Sequence, residues 1–199
     1  MKEKTLELYL NYISFGNNAF GVEAAAKTYF NKSAKDLSVL ESSILASIPK
    51  GPTLYNPYKN PSGLMGEFII KDAYGNPVSF SGDVQQAIIN KIQTVLNATD
   101  LSDKKKNDSF INFLKGITSF TINVSGTTLK VEYINGRKDS VLTRMYEDSY
   151  ITQQQLKAAF VEGIGYVFHT NTFPITAPHF VQWIIQEAEK TIDKETLYK

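Results

Sequence analysis

Apolar residues recur at helical spacing through the opening of the chain. Leu6, Leu10 and Ile13, with Tyr9 beside them, predict an amphipathic helix, and Gly16 with Asn17 and Asn18 breaks it. A small-residue run from Val22 to Phe30 predicts a second helix whose alanines allow close packing. Ser38 precedes Glu41 by three residues, a capping box that opens an apolar run to Ile48; Pro49 and Pro52 end it. The proline-punctuated stretch from Tyr55 to Pro61 reads as an extended connector.

The pattern then changes period. Phe68-Ile69-Ile70 and Val78-Ser79-Phe80 flank a Tyr74-Gly75-Asn76-Pro77 turn and predict two short strands. Asp83 is placed to cap a helix carrying Val84, Ile88, Ile92, Val95 and Leu96 on one face. Lys104 to Lys106 fall in a polar loop, and Asp108 opens a short helix with Phe110, Phe113 and Leu114 inward. The clearest strand signal follows. Phe120, Ile122 and Val124, then Leu129, Val131 and Tyr133, alternate with polar residues about Ser125-Gly126, a hairpin with one apolar face. That face is expected to rest on the two preceding helices.

Helical period returns after Gly136, with Val141, Leu142 and Met145 on one face. Thr152 and Gln155 form a second capping box, ahead of Leu156, Ala159 and Phe160; Gly163 and Gly165 interrupt. From Pro178 a stripe runs through Phe180, Val181, Ile184, Ile185, Ala188 and Ile192. The fold expected is α+β: mostly helical, with a small inserted α+β lobe containing a β-hairpin. Three zones divide it, at residues 1–61, 62–135 and 136–199.

Composition narrows the function classes. The 199 residues are 42% hydrophobic, enough to bury a core. Twenty-one basic and twenty acidic residues leave a net charge of +1, which removes the electrostatic case for a nucleic-acid binder. Without cysteine there is no disulfide framework or thiolate chemistry. No apolar run approaches the roughly 18 residues of a membrane span, and the opening residues do not read as a signal peptide.

Motifs exclude more than they assign. His169 and His179 lack the i, i+4 spacing of a helical metal pair, and no cofactor is expected in this chain. SxxK occurs at Ser47–Lys50 and Ser102–Lys105; the first has a proline inside, the second is a charged loop, and no KTG partner exists. Glu7, Glu23 and Glu41 sit among apolar residues, where burial could raise a carboxyl pKa; capping or ion-pair roles are the alternative. Tyr9, Tyr12, Phe15, Phe20, Tyr29 and Phe30 could line a groove or fill a core. Spacing alone assigns no activity.

A resemblance adds what spacing does not. Lys4 to Asn11, Phe15-Gly16, Phe20 to Ala26 and Tyr29-Phe30 resemble the fourth motif of peptidoglycan glycosyltransferases, the lysozyme-like transglycosylase domain of class A penicillin-binding proteins. Leu40-Glu41, Leu45 to Pro49 and Tyr55-Asn56-Pro57 resemble the fifth motif and the domain's exit. Arg137-Lys138, Arg144-Met145 and Tyr150-Ile151-Thr152 are similar to the helical stretch that follows, and Ala177 to Val181 to the approach to a transpeptidase domain. Residues 62–135 depart from the family's plan and read as an insertion.

The resemblance implies a parent enzyme at the extracytoplasmic face of the bacterial membrane. It would polymerise lipid-linked disaccharide into a glycan strand, with a divalent metal possible there. In the family, one glutamate deprotonates the incoming 4-hydroxyl and another carboxylate helps the pyrophosphate-lipid leave. Their motifs, E-D-x-x-F-x-x-H-x-G and R-K-x-x-E, do not occur here; Arg137-Lys138 imitates the second without its glutamate. The chain is therefore expected to be an inactive, soluble fragment, without catalytic residues of its own or the family's N-terminal membrane anchor. Glu7 matches a chiefly structural glutamate, and Tyr9 and Asn11 are the candidate substrate-binding residues. Helix faces that lack their partners are expected to self-associate. The alternative is a non-catalytic module that docks other cell-wall proteins through the inserted lobe.

Overall fold

Helix α1 (Lys2–Tyr12) ends where Gly16, Asn17 and Asn18 enter the left-handed region, at φ 76°, 48° and 56°. A tight loop follows, closed by the Phe15 N–H to Ala19 carbonyl bond and a Ser14–Phe20 bridge. It feeds α2 (Val22–Phe30), which buries Ala25, Ala26, Tyr29 and Phe30 and stops at the left-handed Asn31. Helix α3 (Val39–Ser47) begins at the Ser38–Glu41 capping box, with both reciprocal bonds formed. A short 3-10 turn at Ile48–Lys50 closes it.

The residues described are 2–98 and 117–169, in a computed structural model of the chain. They fall in one unit, Met1–His169; a second, Thr170–Lys199, lies outside the described residues, as do the Lys104–Lys106 loop, the helix expected from Asp108 and the stripe after Pro178.

Residues 52–59 are turns, not the extended connector expected. Asn56 is the reason: buried, its Oδ1 accepts from the backbone N–H groups of Tyr58 and Lys59 and curls the chain. Asn60 caps the short helix α4 (Pro61–Met65) through its Oδ1 and the Gly63 N–H.

A three-stranded antiparallel sheet follows, in the order β1 (Glu67–Lys71), β3 (Thr127–Ile134), β2 (Ile117–Val124). The hairpin turns at Ser125 and Gly126, both at positive φ, with Asn123 Oδ1 accepting from the Gly126 N–H. In register, Phe68 faces Tyr133, Ile70 and Phe120 face Val131, and Ile122 faces Leu129. All of these lie on one side. Residues 78–80 are no strand. Val78 gives its N–H to Ile70, after which the chain bends, and Phe80 stacks on Phe68 at 5.5 Å.

Helix α5 (Gly82–Ala98) covers that apolar side at β2, burying Ile88, Ile92 and Leu96. Asp83 lies within its first turn instead of capping it. Val95 is 50% exposed, because it falls a quarter-turn away from Leu96 around the axis. Helices α6 (Arg137–Glu147) and α7 (Gln153–Glu162) return the chain to α3, which packs against both. Thr152 and Gln155 cap α7 as their spacing predicts, and Leu156, Ala159 and Phe160 are buried. The fold is α+β and mostly helical, as expected.

Two glycines hold the sheet to the helices. A Cβ on Gly136 would collide with the backbones of Leu64, Met65 and Gly66, and one on Gly66, at φ 83°, with Tyr133. The chain thus enters and leaves the sheet at one place.

Candidate functional site

Helix α1 and the loop after it carry the candidate binding residues. Gly21, at φ 81°, lies so close to the Asn11 backbone that a Cβ there could not be accommodated. Its N–H bonds the Ile13 carbonyl at 2.9 Å. The loop is braced from below: Tyr29 donates to the Phe15 carbonyl at 2.7 Å, and Asn56 Nδ2 lies 3.3 Å from Asn17 Oδ1. Burial, then neighbouring Tyr58, push the Tyr29 phenol up to about 12.

On this frame Tyr9 and Asn11 are both exposed. Two positions apart on a helix, they point roughly 200° apart around its axis. The Asn11 amide donates to the Glu7 carbonyl at 2.9 Å, one turn back. Of the six aromatics, Phe15, Tyr29 and Phe30 fill the core, whereas Tyr9, Tyr12 and Phe20 are exposed with Leu6 and Leu8. Large apolar side chains thus lie in water over most of α1.

The carboxylates are anchors. Glu23 accepts from the Ala34 N–H at 2.7 Å and the Ser33 hydroxyl at 3.2 Å; the backbone bond leads in holding its pKa below the usual value. Glu41 is buried, and burial pushes its carboxyl up. Lys32 Nζ, the Ser38 N–H and the Tyr166 hydroxyl, each at 2.8 Å, together outweigh that and hold it low. The raised pKa that burial alone would give does not arise, and both groups stay ionised. Ser47 is buried, its hydroxyl donating to the Ser43 carbonyl at 2.7 Å, so this SxxK serine is a helix-end packing residue.

One cluster was not foreseen. Lys138 and Asp139 open α6 and are buried at 2% and 0% exposure. Lys138 Nζ meets Asp139 Oδ1 at 2.5 Å and sits 5.1 Å above the Phe160 ring. Asp139 Oδ2 accepts from the Tyr133 hydroxyl at 2.5 Å and the Gly136 N–H at 2.8 Å. Burial, then the Asp139 charge, raise the Tyr133 phenol far above its ordinary value. The sequence signal was an acidic residue at the third helical position after Gly136. A cleft of about 350 Å³ opens beside the cluster, walled by Phe68, Phe80, Phe160, Tyr166 and Phe168. The cluster's own bonds satisfy Asp139 and leave it no free oxygen for a ligand. Among the described residues, no three His, Cys, Asp or Glu side chains gather as metal ligands, and no helix is long and apolar enough to cross a membrane.

Known proteins match parts of the chain of different extent. Residues 1–70 match the transglycosylase family. Penicillin-binding protein 1A of Pseudomonas aeruginosa is 51% identical over 61 residues, 31% of this chain and 7% of that protein. Penicillin-binding protein 1A of Aquifex aeolicus is 35% identical over 105 residues, 50% of this chain and 14% of that protein. The chain therefore spans a small share of these relatives' length. The crystal structure of penicillin-binding protein 1A from Haemophilus influenzae superimposes with a TM-score of 0.50 at 24% identity, over 96% of this chain and 18% of that one. That last likeness bears on the fold.

Proposed function

We propose that this chain, whose residues 1–70 are a transglycosylase segment of the class A penicillin-binding protein type, is the trailing part of a peptidoglycan glycosyltransferase. Its parent polymerises lipid-linked disaccharide into glycan strands at the outer face of the bacterial cytoplasmic membrane. The observation that carries this reading is the transglycosylase match over residues 1–70, together with a stretch of 61 residues that is 51% identical to penicillin-binding protein 1A of Pseudomonas aeruginosa.

The 199 residues alone turn over no substrate. Neither family glutamate motif occurs in them, and Glu23 and Glu41 are committed to backbone and lysine partners. A poor hydroxyl nucleophile without a positioned base reacts too slowly to matter. A divalent metal, if the reaction uses one, acts in the parent. Tyr9 and Asn11 face opposite sides of α1, so at most one of the two borders what this chain retains of the donor groove.

The test incubates the purified chain with lipid-linked disaccharide and resolves the products by gel. No polymer is expected, while the parent protein under the same conditions makes it. Glycan made by the chain alone would overturn the inactivity, and a parent that makes none would overturn the family reading.

A further inference from the structure

Asparagine followed by glycine occurs once in the sequence, at Asn135–Gly136, the link between strand β3 and helix α6. A glycine has no side chain to shield its amide nitrogen or to restrict the backbone, so in an open chain this pair readily reacts with itself. The Gly136 nitrogen attacks the side-chain carbonyl carbon of Asn135. The bond from that carbon to Nδ2 breaks, and ammonia leaves with the proton that the Gly136 N–H gives up. Water then opens the cyclic imide at either carbonyl, which leaves aspartate or isoaspartate and an added negative charge.

The fold withholds the nucleophile. Gly136 is buried, and its N–H is committed to Asp139 Oδ2 at 2.8 Å. That carboxylate is itself fixed, by the Tyr133 hydroxyl on the same oxygen and by Lys138 on the other. Gly136 also lies so close to the backbones of Leu64, Met65 and Gly66 that a Cβ does not fit there. While this corner is packed, the nitrogen has no room to swing toward the Asn135 side chain. Asn135 is only half-buried, so burial of the amide group is not what protects it.

We propose that Asn135–Gly136 is a deamidation site gated by the Gly136 corner: intact while the corner is closed, modified when it opens, and barred from closing once isoaspartate has formed. Geometry blocks the return. Isoaspartate routes the backbone through the side-chain carbon and so adds an extra methylene to the chain, beside a contact that has no room for a Cβ. Aspartate keeps the chain length and leaves the corner able to close. The junction between sheet and helices thus records in covalent form the time it has spent open. The proposal stands independently of the glycosyltransferase reading.

The test incubates the full chain in mildly alkaline buffer, with and without denaturing urea, and follows the peptide containing Asn135 by mass spectrometry. Conversion is expected in urea and is expected to be at least about a hundredfold slower in native buffer, where the rate follows the open population. Tyr133→Phe leaves the Asp139–Gly136 bond in place but loosens the corner. It is expected to raise the native rate about tenfold or more, with the rate in urea unchanged. Asn135→Gln is expected to stay unmodified in both buffers and to refold. After dilution from urea, the isoaspartate fraction is expected to remain cleavable by protease within β3, while unmodified chain regains protection. Equal rates with and without urea overturn the gate, as does a Tyr133→Phe chain that reacts no faster than the natural one. An isoaspartate chain that refolds to the natural urea midpoint overturns the one-way closure.

Discussion

The Tyr133 hydroxyl reaches Asp139 Oδ2 at 2.5 Å and ties strand β3 to helix α6 across the Gly136 corner. Both groups are buried, and the same carboxylate holds Lys138 through its other oxygen. A buried carboxylate between a lysine and a phenol is tolerable only because every partner is present.

Removing the carboxylate is therefore expected to cost far more than removing the phenol. Asp139→Asn leaves Lys138 as an uncompensated buried charge and is expected to destabilise by about 3–5 kcal/mol. Tyr133→Phe removes one hydrogen bond to a charged group, about 1.5–3 kcal/mol. Urea denaturation of the two variants measures the order, and equal losses would contradict the account.

Acid should loosen the α3 terminus through Glu41. Its folded pKa lies below the ordinary 4.5, so the unfolded chain takes up its proton first as the pH falls. The carboxylate's contribution is complete above about pH 4.5 and disappears as the pH drops through the folded value. Glu41→Gln is expected to be less stable than the natural chain by about 1–3 kcal/mol at neutral pH. The gap narrows in acid, and denaturation midpoints from about pH 7 to 3 check the slope.

Helix α1 is expected to draw a second copy of the chain onto itself. Leu6 is 57% exposed and Tyr12 75%, and apolar surface left in water costs about 25 cal/mol per Å². Light scattering should show mass rising with concentration, and Leu6→Ser with Tyr12→Ser should move the rise to higher concentration. A strict monomer throughout would remove the expectation.

What the sequence revealed was mostly local. The capping boxes at Ser38–Glu41 and Thr152–Gln155 were legible because each is complete within four residues, and the Ser125-Gly126 hairpin because turn and alternation adjoin. That β1 joins the hairpin was not legible, since Phe68 and Tyr133 meet across more than sixty residues of chain. Nor was the burial of Lys138 and Asp139, which depends on Phe160 and Tyr133 closing over them. Residues 78–80 misled because alternation over three residues cannot distinguish a strand from a bend whose one aromatic, Phe80, stacks on a neighbour. Tyr9 and Asn11 were named from likeness and not from chemistry, and on an exposed helix they look ordinary.

The contact between Gly66 and Gly136 has an evolutionary side. A stretch that departs and comes back through touching backbone can lengthen, shrink or be exchanged while α3, α6 and α7 keep their places. The toll of its loss would fall on Phe160, stripped of the Tyr133 ring packed edge-on against it.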